Sequence, residues 1–211
     1  MDRFIRFGLV VGVAGGALLA LGSGLALVTA GGQPLSVQTT TTAFVLASAL
    51  RLLGAVGMVL GITGLVALCS ERGGRFLMTA YALAIGGLAL NIGWIWCDLF
   101  ISDTVAKLAP AVLDSATSQG TRLDTGALLA WIANATLLVL AAAVARTRTV
   151  RRSSWLTLAA AGAITLVPLP FDGPVYEVLI GVLFALAALL ALTGSSVRTA
   201  VEPRAAASQV V

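Results

Sequence analysis

Six long apolar runs, separated by short hydrophilic segments, constrain the fold of this chain more than any other feature. They cover residues 7–30, 43–69, 76–101, 127–145, 155–171 and 175–193. A helix of about 20 apolar residues crosses the hydrocarbon core of a bilayer, and a helix satisfies its backbone polar groups internally there. The pattern predicts an all-α integral membrane bundle of six transmembrane helices in one domain, residues 1–193. The polar, alanine-rich segment 194–211 is predicted to be a disordered cytoplasmic tail.

Composition supports a membrane location. Of the 211 residues, 59% are hydrophobic and only 10% are charged, and the mean hydropathy is +1.02. Soluble domains are about 45–50% apolar and about 25% charged, so this chain has too little polar surface to cover a soluble core. Arginine is far more frequent than lysine, and Ala, Leu, Gly and Val dominate. This composition is typical of a GC-rich bacterium and predicts a protein of the bacterial plasma (inner) membrane.

The distribution of basic residues predicts the orientation of the bundle. The segment from Arg146 to Arg152 holds four arginines in seven residues between two apolar runs. With both termini in the cytoplasm, ten of the 13 basic residues face the cytoplasm, as the positive-inside rule requires. These ten are Arg3, Arg6, Arg72, Arg75, Arg146, Arg148, Arg151, Arg152, Arg198 and Arg204.

The excess of basic residues bears on partners as well. The arginines lie at the ends of apolar runs and not along one polar face, so the net charge of +4 does not indicate nucleic-acid binding. Anionic lipid headgroups are the partners that such arginines are expected to contact.

Arg51 interrupts the second apolar run and is the strongest candidate for a functional residue. Buried in the bundle, it would need an acidic partner, for which Asp98 and Asp103 are the nearest choices at the outer end of the third run. The alternative places Arg51 at the membrane interface, because Leu52 to Cys69 is by itself long enough to span. The first alternative indicates an anion or headgroup site, and the second an interfacial anchor.

Two asparagines complete the set of candidates. Asn91 and Asn134 lie inside apolar runs, in the predicted outer half. Each is expected to hydrogen-bond to a neighbouring helix, and a polar pathway is the alternative. The predicted polar or anion site therefore comprises Arg51, Asn91, Asp98 and Asn134.

The sequence offers little for catalysis. It contains no histidine and two cysteines, which excludes His-ligated metals and His acid–base chemistry. Cys69 ends the second run and Cys97 lies near the opposite end of the third, so most of a bilayer separates them and no disulfide is predicted. We predict no catalytic residue, no cofactor and no metal.

Two faces of small residues predict close contacts between helices, and one polar segment predicts a short helix outside the membrane. Gly8, Gly12, Gly16, Ala20 and Gly24 recur every fourth residue, and Gly54, Gly57, Gly61 and Gly64 form a second small-residue face. Such faces allow close approach of helices, either inside one chain or between two copies.

Residues 104–117 show helical periodicity of apolar residues, which predicts a short extracytoplasmic amphipathic segment, interrupted or restarted at Pro110.

Several short segments resemble a group of small, uncharacterised polytopic inner-membrane proteins of the actinobacterial type. They are Gly64-Leu65-Val66-Ala67-Leu68, the turn Glu71 to Arg75, Trp94, Lys107-Leu108-Ala109-Pro110 and Pro168-Leu169-Pro170. The group usually has an aromatic residue where this chain has Cys69. The resemblance covers residues 50–193 and implies a multi-span inner-membrane protein without implying an activity.

These observations predict a non-enzymatic accessory or interaction protein of the membrane. A small permease, or a protein that binds lipid or an anion through the outer-half polar residues, is the alternative. A homo-oligomer and a membrane-protein partner both remain open.

Overall fold

The fold, seen in a computed structural model, consists of α-helices. The structure describes residues 2–30, 33–116, 133–166 and 173–207; within them 92% of the chain is helical and no strand occurs, which confirms the all-α prediction. The helices are α1 (Arg3–Ala30), α2 (Leu35–Gln38), α3 (Thr42–Phe100), α4 (Ser102–Leu108), α5 (Pro110–Ala116), α6 (Thr136–Thr147), α7 (Arg152–Ala163) with a 3-10 turn at Ile164–Leu166, and α8 (Gly173–Ala207).

The 59-residue element α3 is a helical hairpin. Gly74 has φ 54° and ψ −159°, a conformation that is essentially restricted to glycine. The hydroxyls of Thr63 and Tyr81 lie 3.2 Å apart, whereas a straight helix would separate these residues by about 27 Å. Residues 42–73 therefore form a first arm that packs antiparallel against a second arm, residues 75–100. The break falls within the hydrophilic turn that the sequence predicts.

The predicted face of the first arm packs within one chain against Gly8 and Gly12 of the predicted α1 face and against Gly15, whereas Gly16 and Ala20 of that face pack against α8. A methyl group at Gly57 would lie 2.7 Å from the Cα atom of Gly15, and one at Gly8 would lie 3.0 Å from the Cα atom of Gly64. This leaves room only for hydrogen at these positions, so α1 and the first arm approach backbone to backbone. Gly24 does not belong to this interface, because nothing lies within 4 Å of its Cβ position.

The remaining long helices extend the bundle. α8 packs on the other side of α1, where a methyl group at Gly181 would lie 2.8 Å from the backbone nitrogen of Ala20. α7 joins α8 through a hydrogen bond from Ser154 Oγ to the carbonyl oxygen of Ala187, 2.8 Å long. Apolar side chains from all of these helices form one buried core, which includes Leu9, Met58, Leu88, Leu140, Leu158 and Phe184.

Contacts at the helix ends place the basic residues together. The start of α1 lies beside the end of the first arm at Gly8 and Gly64. The Arg146 guanidinium lies over the Phe76 ring, 4.4 Å from its centroid, which brings the end of α6 to the start of the second arm. The Arg151 side chain lies against Gly194 of α8. The hydrophilic turn, the α6–α7 connection and the start of α1 therefore lie at one end of the bundle, here called the basic end.

Within the described ranges, three helices are long and apolar enough to cross a membrane: Arg3–Thr29, Thr42–Phe100 and Pro174–Gly194. α6 is apolar but has 12 residues, and the predicted spans 127–145 and 155–171 fall partly outside the described residues. α8 continues to Ala207, and the predicted disordered tail stays a prediction. The alanines of residues 194–207 favour a helix. Residues 208–211 lie outside the described residues.

The predicted amphipathic segment is two short helices. α4 ends at Leu108, the backbone at Ala109 is non-helical, and Pro110 begins α5, a position where proline loses no hydrogen bond. The predicted apolar face is incomplete, because Leu113 is buried whereas Leu108 is 80% exposed. Asp114 accepts hydrogen bonds from the backbone nitrogen and hydroxyl of Ser36, both 2.9 Å, so α5 also holds α2.

Candidate functional site

The candidate site is a cluster of charged side chains at the end of the bundle opposite the basic end. Arg51 comes from the first arm of α3, Asp98 from the second arm and Glu177 from α8. Arg51 is 6% exposed, which corresponds to the first of the two alternatives that its position in the sequence leaves open. Ser23 of α1 also contacts the cluster. We call Ser23, Arg51, Asp98 and Glu177 the charge cluster.

Glu177 is the main partner of Arg51. Arg51 Nε donates to Glu177 Oε2 over 2.7 Å, and Arg51 Nη2 donates to Glu177 Oε1 over 2.8 Å. Two parallel, charge-assisted bonds of this kind fix the orientation of both side chains. The Glu177 side chain is 15% exposed, so the pair is largely removed from solvent. The pair joins the first arm to the beginning of α8.

α1 completes the cluster from the other side. Ser23 Oγ donates to Glu177 Oε2 over 2.7 Å, so this oxygen accepts from both Ser23 and Arg51. Gly22 precedes Ser23. A methyl group at Gly22 would lie 2.8 Å from the backbone nitrogen of Arg51 and 3.0 Å from the Cγ atom of Arg51. The absence of a side chain at Gly22 therefore allows the first arm to bring Arg51 against α1.

Asp98 makes a weaker contact with Arg51. Arg51 Nη1 donates to Asp98 Oδ2 over 3.2 Å, a single bond to a side chain that is 19% exposed. Asp103, the other partner suggested by the sequence, binds Lys107 instead, with 2.6 Å between Asp103 Oδ2 and Lys107 Nζ. α4 begins between Asp98 and Asp103, so the two acids lie on different helices.

The two predicted asparagines do not join the charge cluster. Asn91 and Asn134 are both buried, and in the described ranges no hydrogen bond links either to Arg51 or Asp98. Asn91 lies one turn beyond Gly87, which packs against Ala133 and Thr136, so Asn91 belongs to the contact between the second arm and α6. Asn134 Oδ1 has no hydrogen-bond partner within the described part of the chain.

The charge balance limits what the cluster can bind. Its guanidinium is shared by two carboxylates, so an incoming anion would meet two negative groups. Removing one partner from a buried ion pair leaves an uncompensated charge and costs about 3–5 kcal/mol. Such an arrangement holds helices together more readily than it exchanges ligands. Among the described residues, no group of three His, Cys, Asp or Glu side chains could hold a metal.

The sequence contains a signal for Glu177, which is not among the predicted site residues. Glu177 lies within the apolar run 175–193, just as Arg51 lies within 43–69. An isolated acid and an isolated base inside two apolar runs are candidates for a pair. Gly22 and Ser23 give no comparable signal, because their role depends on which helices become neighbours.

Comparison of this chain with protein-family models, with curated proteins and with solved structures finds no match. The resemblance to small polytopic inner-membrane proteins stays a prediction.

Proposed function

We propose that this chain is a polytopic protein of the bacterial plasma membrane with six spans, both termini in the cytoplasm and a non-enzymatic, accessory role. Three helices of sufficient length and apolarity support membrane insertion. The hairpin at Gly74 divides one of them into two arms, and the predicted spans 127–145 and 155–171 supply the remaining two. The arginines of the basic end support a cytoplasmic location for that end.

One observation carries the non-enzymatic role: the charged side chains inside the bundle bind one another. Arg51 has both of its strong hydrogen bonds to Glu177 and a third bond to Asp98. Ser23 adds a fourth helix segment to the same cluster. The cluster connects α1, both arms of α3 and α8, so its most direct role is to fix the arrangement of these helices.

Labelling of single cysteines in intact cells tests the orientation. In a chain with Cys69→Ala and Cys97→Ala, we introduce Lys107→Cys at one end and Ser153→Cys at the other. A membrane-impermeant maleimide should label Lys107→Cys in intact cells and Ser153→Cys only after the cells are permeabilised. The reverse labelling pattern would refute the proposed orientation.

A small cation-coupled permease is the second candidate, and the composition of the charge cluster favours it. Two carboxylates surround one guanidinium, so with all three groups ionised the cluster carries an excess negative charge that a cation or proton could neutralise. Ser48 lies three residues before Arg51, is fully buried, and its Oγ has no hydrogen-bond partner within the described ranges. A water-filled pathway would need such groups to be accessible.

Accessibility of Ser48→Cys separates the two candidates. In the cysteine-free chain, a small impermeant thiosulfonate added from outside should leave Ser48→Cys unmodified if the bundle is sealed. Lys107→Cys, which replaces an exposed side chain, serves as the positive control. Rapid modification of Ser48→Cys at a rate close to that of the control would favour the permease and contradict the accessory role.

A further inference from the structure

The α6–α7 connection carries a concentrated basic surface. Arg146, Arg148, Arg151 and Arg152 are all exposed, and within the described residues none of them forms an ion pair with an acid. We call these four side chains the arginine patch. Two basic residues outside the patch are paired, since Arg51 binds Glu177 and Asp98, and Lys107 binds Asp103. The arginine patch therefore presents four guanidinium groups that no carboxylate of the described residues neutralises.

Exposed apolar side chains lie directly beside the arginine patch. The Arg146 guanidinium stacks on Phe76, whose side chain is nevertheless 40% exposed. Leu156, one helical turn after Arg152 on α7, is exposed as well. A surface with free cationic groups at the helix ends and apolar side chains immediately below them matches the boundary between phospholipid headgroups and acyl chains.

We propose that the arginine patch binds the phosphodiester headgroup of an anionic phospholipid in the leaflet at the basic end. Guanidinium groups bind phosphate oxygens through paired, charge-assisted hydrogen bonds. Clusters of basic residues next to a membrane span attract anionic lipid over neutral lipid. This inference goes beyond the use of arginine as an orientation signal, because orientation requires positive charge and not a bound lipid. It rests on the membrane location proposed above.

The test measures lipid binding to the purified full chain in neutral detergent by native mass spectrometry. Phosphatidylglycerol, phosphatidylcholine with the same acyl chains, and inorganic phosphate are titrated separately. We expect phosphatidylglycerol to bind at least tenfold more tightly than phosphatidylcholine. Because each arginine near an anionic headgroup contributes about a fivefold gain, the triple variant Arg148→Gln, Arg151→Gln, Arg152→Gln should bind phosphatidylglycerol about a hundredfold more weakly.

A matched control removes the same charge elsewhere. The variant Arg3→Gln, Arg6→Gln, Lys107→Gln loses three basic residues outside the arginine patch and should keep the preference for phosphatidylglycerol. Equal loss in both triple variants would show a general charge effect and overturn the proposal. Equal binding of the two phospholipids, or competition by millimolar inorganic phosphate that abolishes lipid binding, would also overturn it.

Single variants make the test independent of misfolding, and measurement in detergent makes it independent of the proposed orientation. The single variants Arg148→Gln and Arg152→Gln alter exposed residues, and each should weaken phosphatidylglycerol binding about fivefold; no loss in either would contradict the proposal even if the triple variant fails to fold. Binding is measured in detergent, so it remains measurable if cysteine labelling refutes the proposed orientation. Failure of one experiment therefore does not imply failure of the other.

Discussion

Arg51 and Glu177, 126 positions apart in the chain, form a two-bond ion pair with distances of 2.7 and 2.8 Å. Neither residue has another charged residue within its own apolar run. Their pairing fixes the start of α8 against the first arm of α3, and Ser23 connects both to α1. The pair and Ser23 therefore join three of the long helices at the end of the bundle opposite the basic end.

The two acids of the charge cluster should contribute unequally to stability. Glu177→Gln removes the charge from the bidentate partner and leaves Asp98 as the only acid bound to Arg51, so it should lower the free energy of unfolding by about 3 kcal/mol. Asp98→Asn removes a single 3.2 Å bond and relieves repulsion from Glu177, so its effect should be small. The midpoint of thermal unfolding in detergent measures both effects.

Asp103→Asn is the matched control for these variants, because it removes a carboxylate from an exposed pair with Lys107. Exposed pairs contribute about 0–1 kcal/mol, so the midpoint should hardly change. A larger loss for Asp98→Asn or Asp103→Asn than for Glu177→Gln would contradict the assigned order.

The glycine interface between α1 and the first arm should not tolerate a methyl group. In Gly57→Ala the new Cβ would lie 2.7 Å from the Cα of Gly15, so the two helices would have to separate, at a cost of about 1–3 kcal/mol. Gly24→Ala meets nothing within 4 Å and should leave the unfolding midpoint unchanged or slightly higher. Equal effects of the two substitutions would refute the close contact.

The turn within α3 should require glycine at position 74. Gly74→Ala meets no neighbour within 4 Å, so its cost comes only from the backbone conformation and should be about 1–3 kcal/mol. Gly86→Ala is the control, since Gly86 is helical and its Cβ position is also open. Thermal unfolding should show a loss for Gly74→Ala alone; a loss of similar size in both would indicate that the hairpin is absent.

The substitution Arg148→Gly should change stability and lipid binding in opposite directions. It ends α6 with φ 53°, a left-handed conformation that glycine adopts without strain. Arg148→Gly should therefore raise the unfolding midpoint in neutral detergent by an amount equivalent to about 0.5–1 kcal/mol, while weakening phosphatidylglycerol binding. A lower midpoint would argue that Arg148 has a structural partner at the basic end.

Much of this fold follows from local patterns in the sequence. The helical class follows from the apolar runs, the turn within α3 from Glu71 to Arg75, and the close approach of α1 and the first arm from the spacing of their glycines. Each of these depends on residues near one another in the chain. The extension of α8 to Ala207 agrees with the helix propensity of its alanines, although the polarity of this segment favours a disordered tail.

The candidate site depends on tertiary neighbours and was predicted only in part. The sequence predicts Arg51 and Asp98 as site residues, and the structure brings them together. Glu177 is not among the predicted site residues, because it lies near the beginning of its run and its burial depends on where α8 begins relative to Arg51. Gly22 and Ser23 became recognisable only once α1 was seen beside Arg51, and the asparagines lie at a different helix contact.

A double-mutant cycle on thermal and denaturant unfolding in detergent, with Arg51→Gln, Glu177→Gln and the double variant, tests the central claim most directly. If the pair fixes α8 against the first arm, the coupling energy should be about 2–3 kcal/mol, and the parallel cycle of Arg51 with Asp98 should give less. A coupling below about 0.5 kcal/mol for Arg51 and Glu177 would contradict the claim that their contact holds the bundle together.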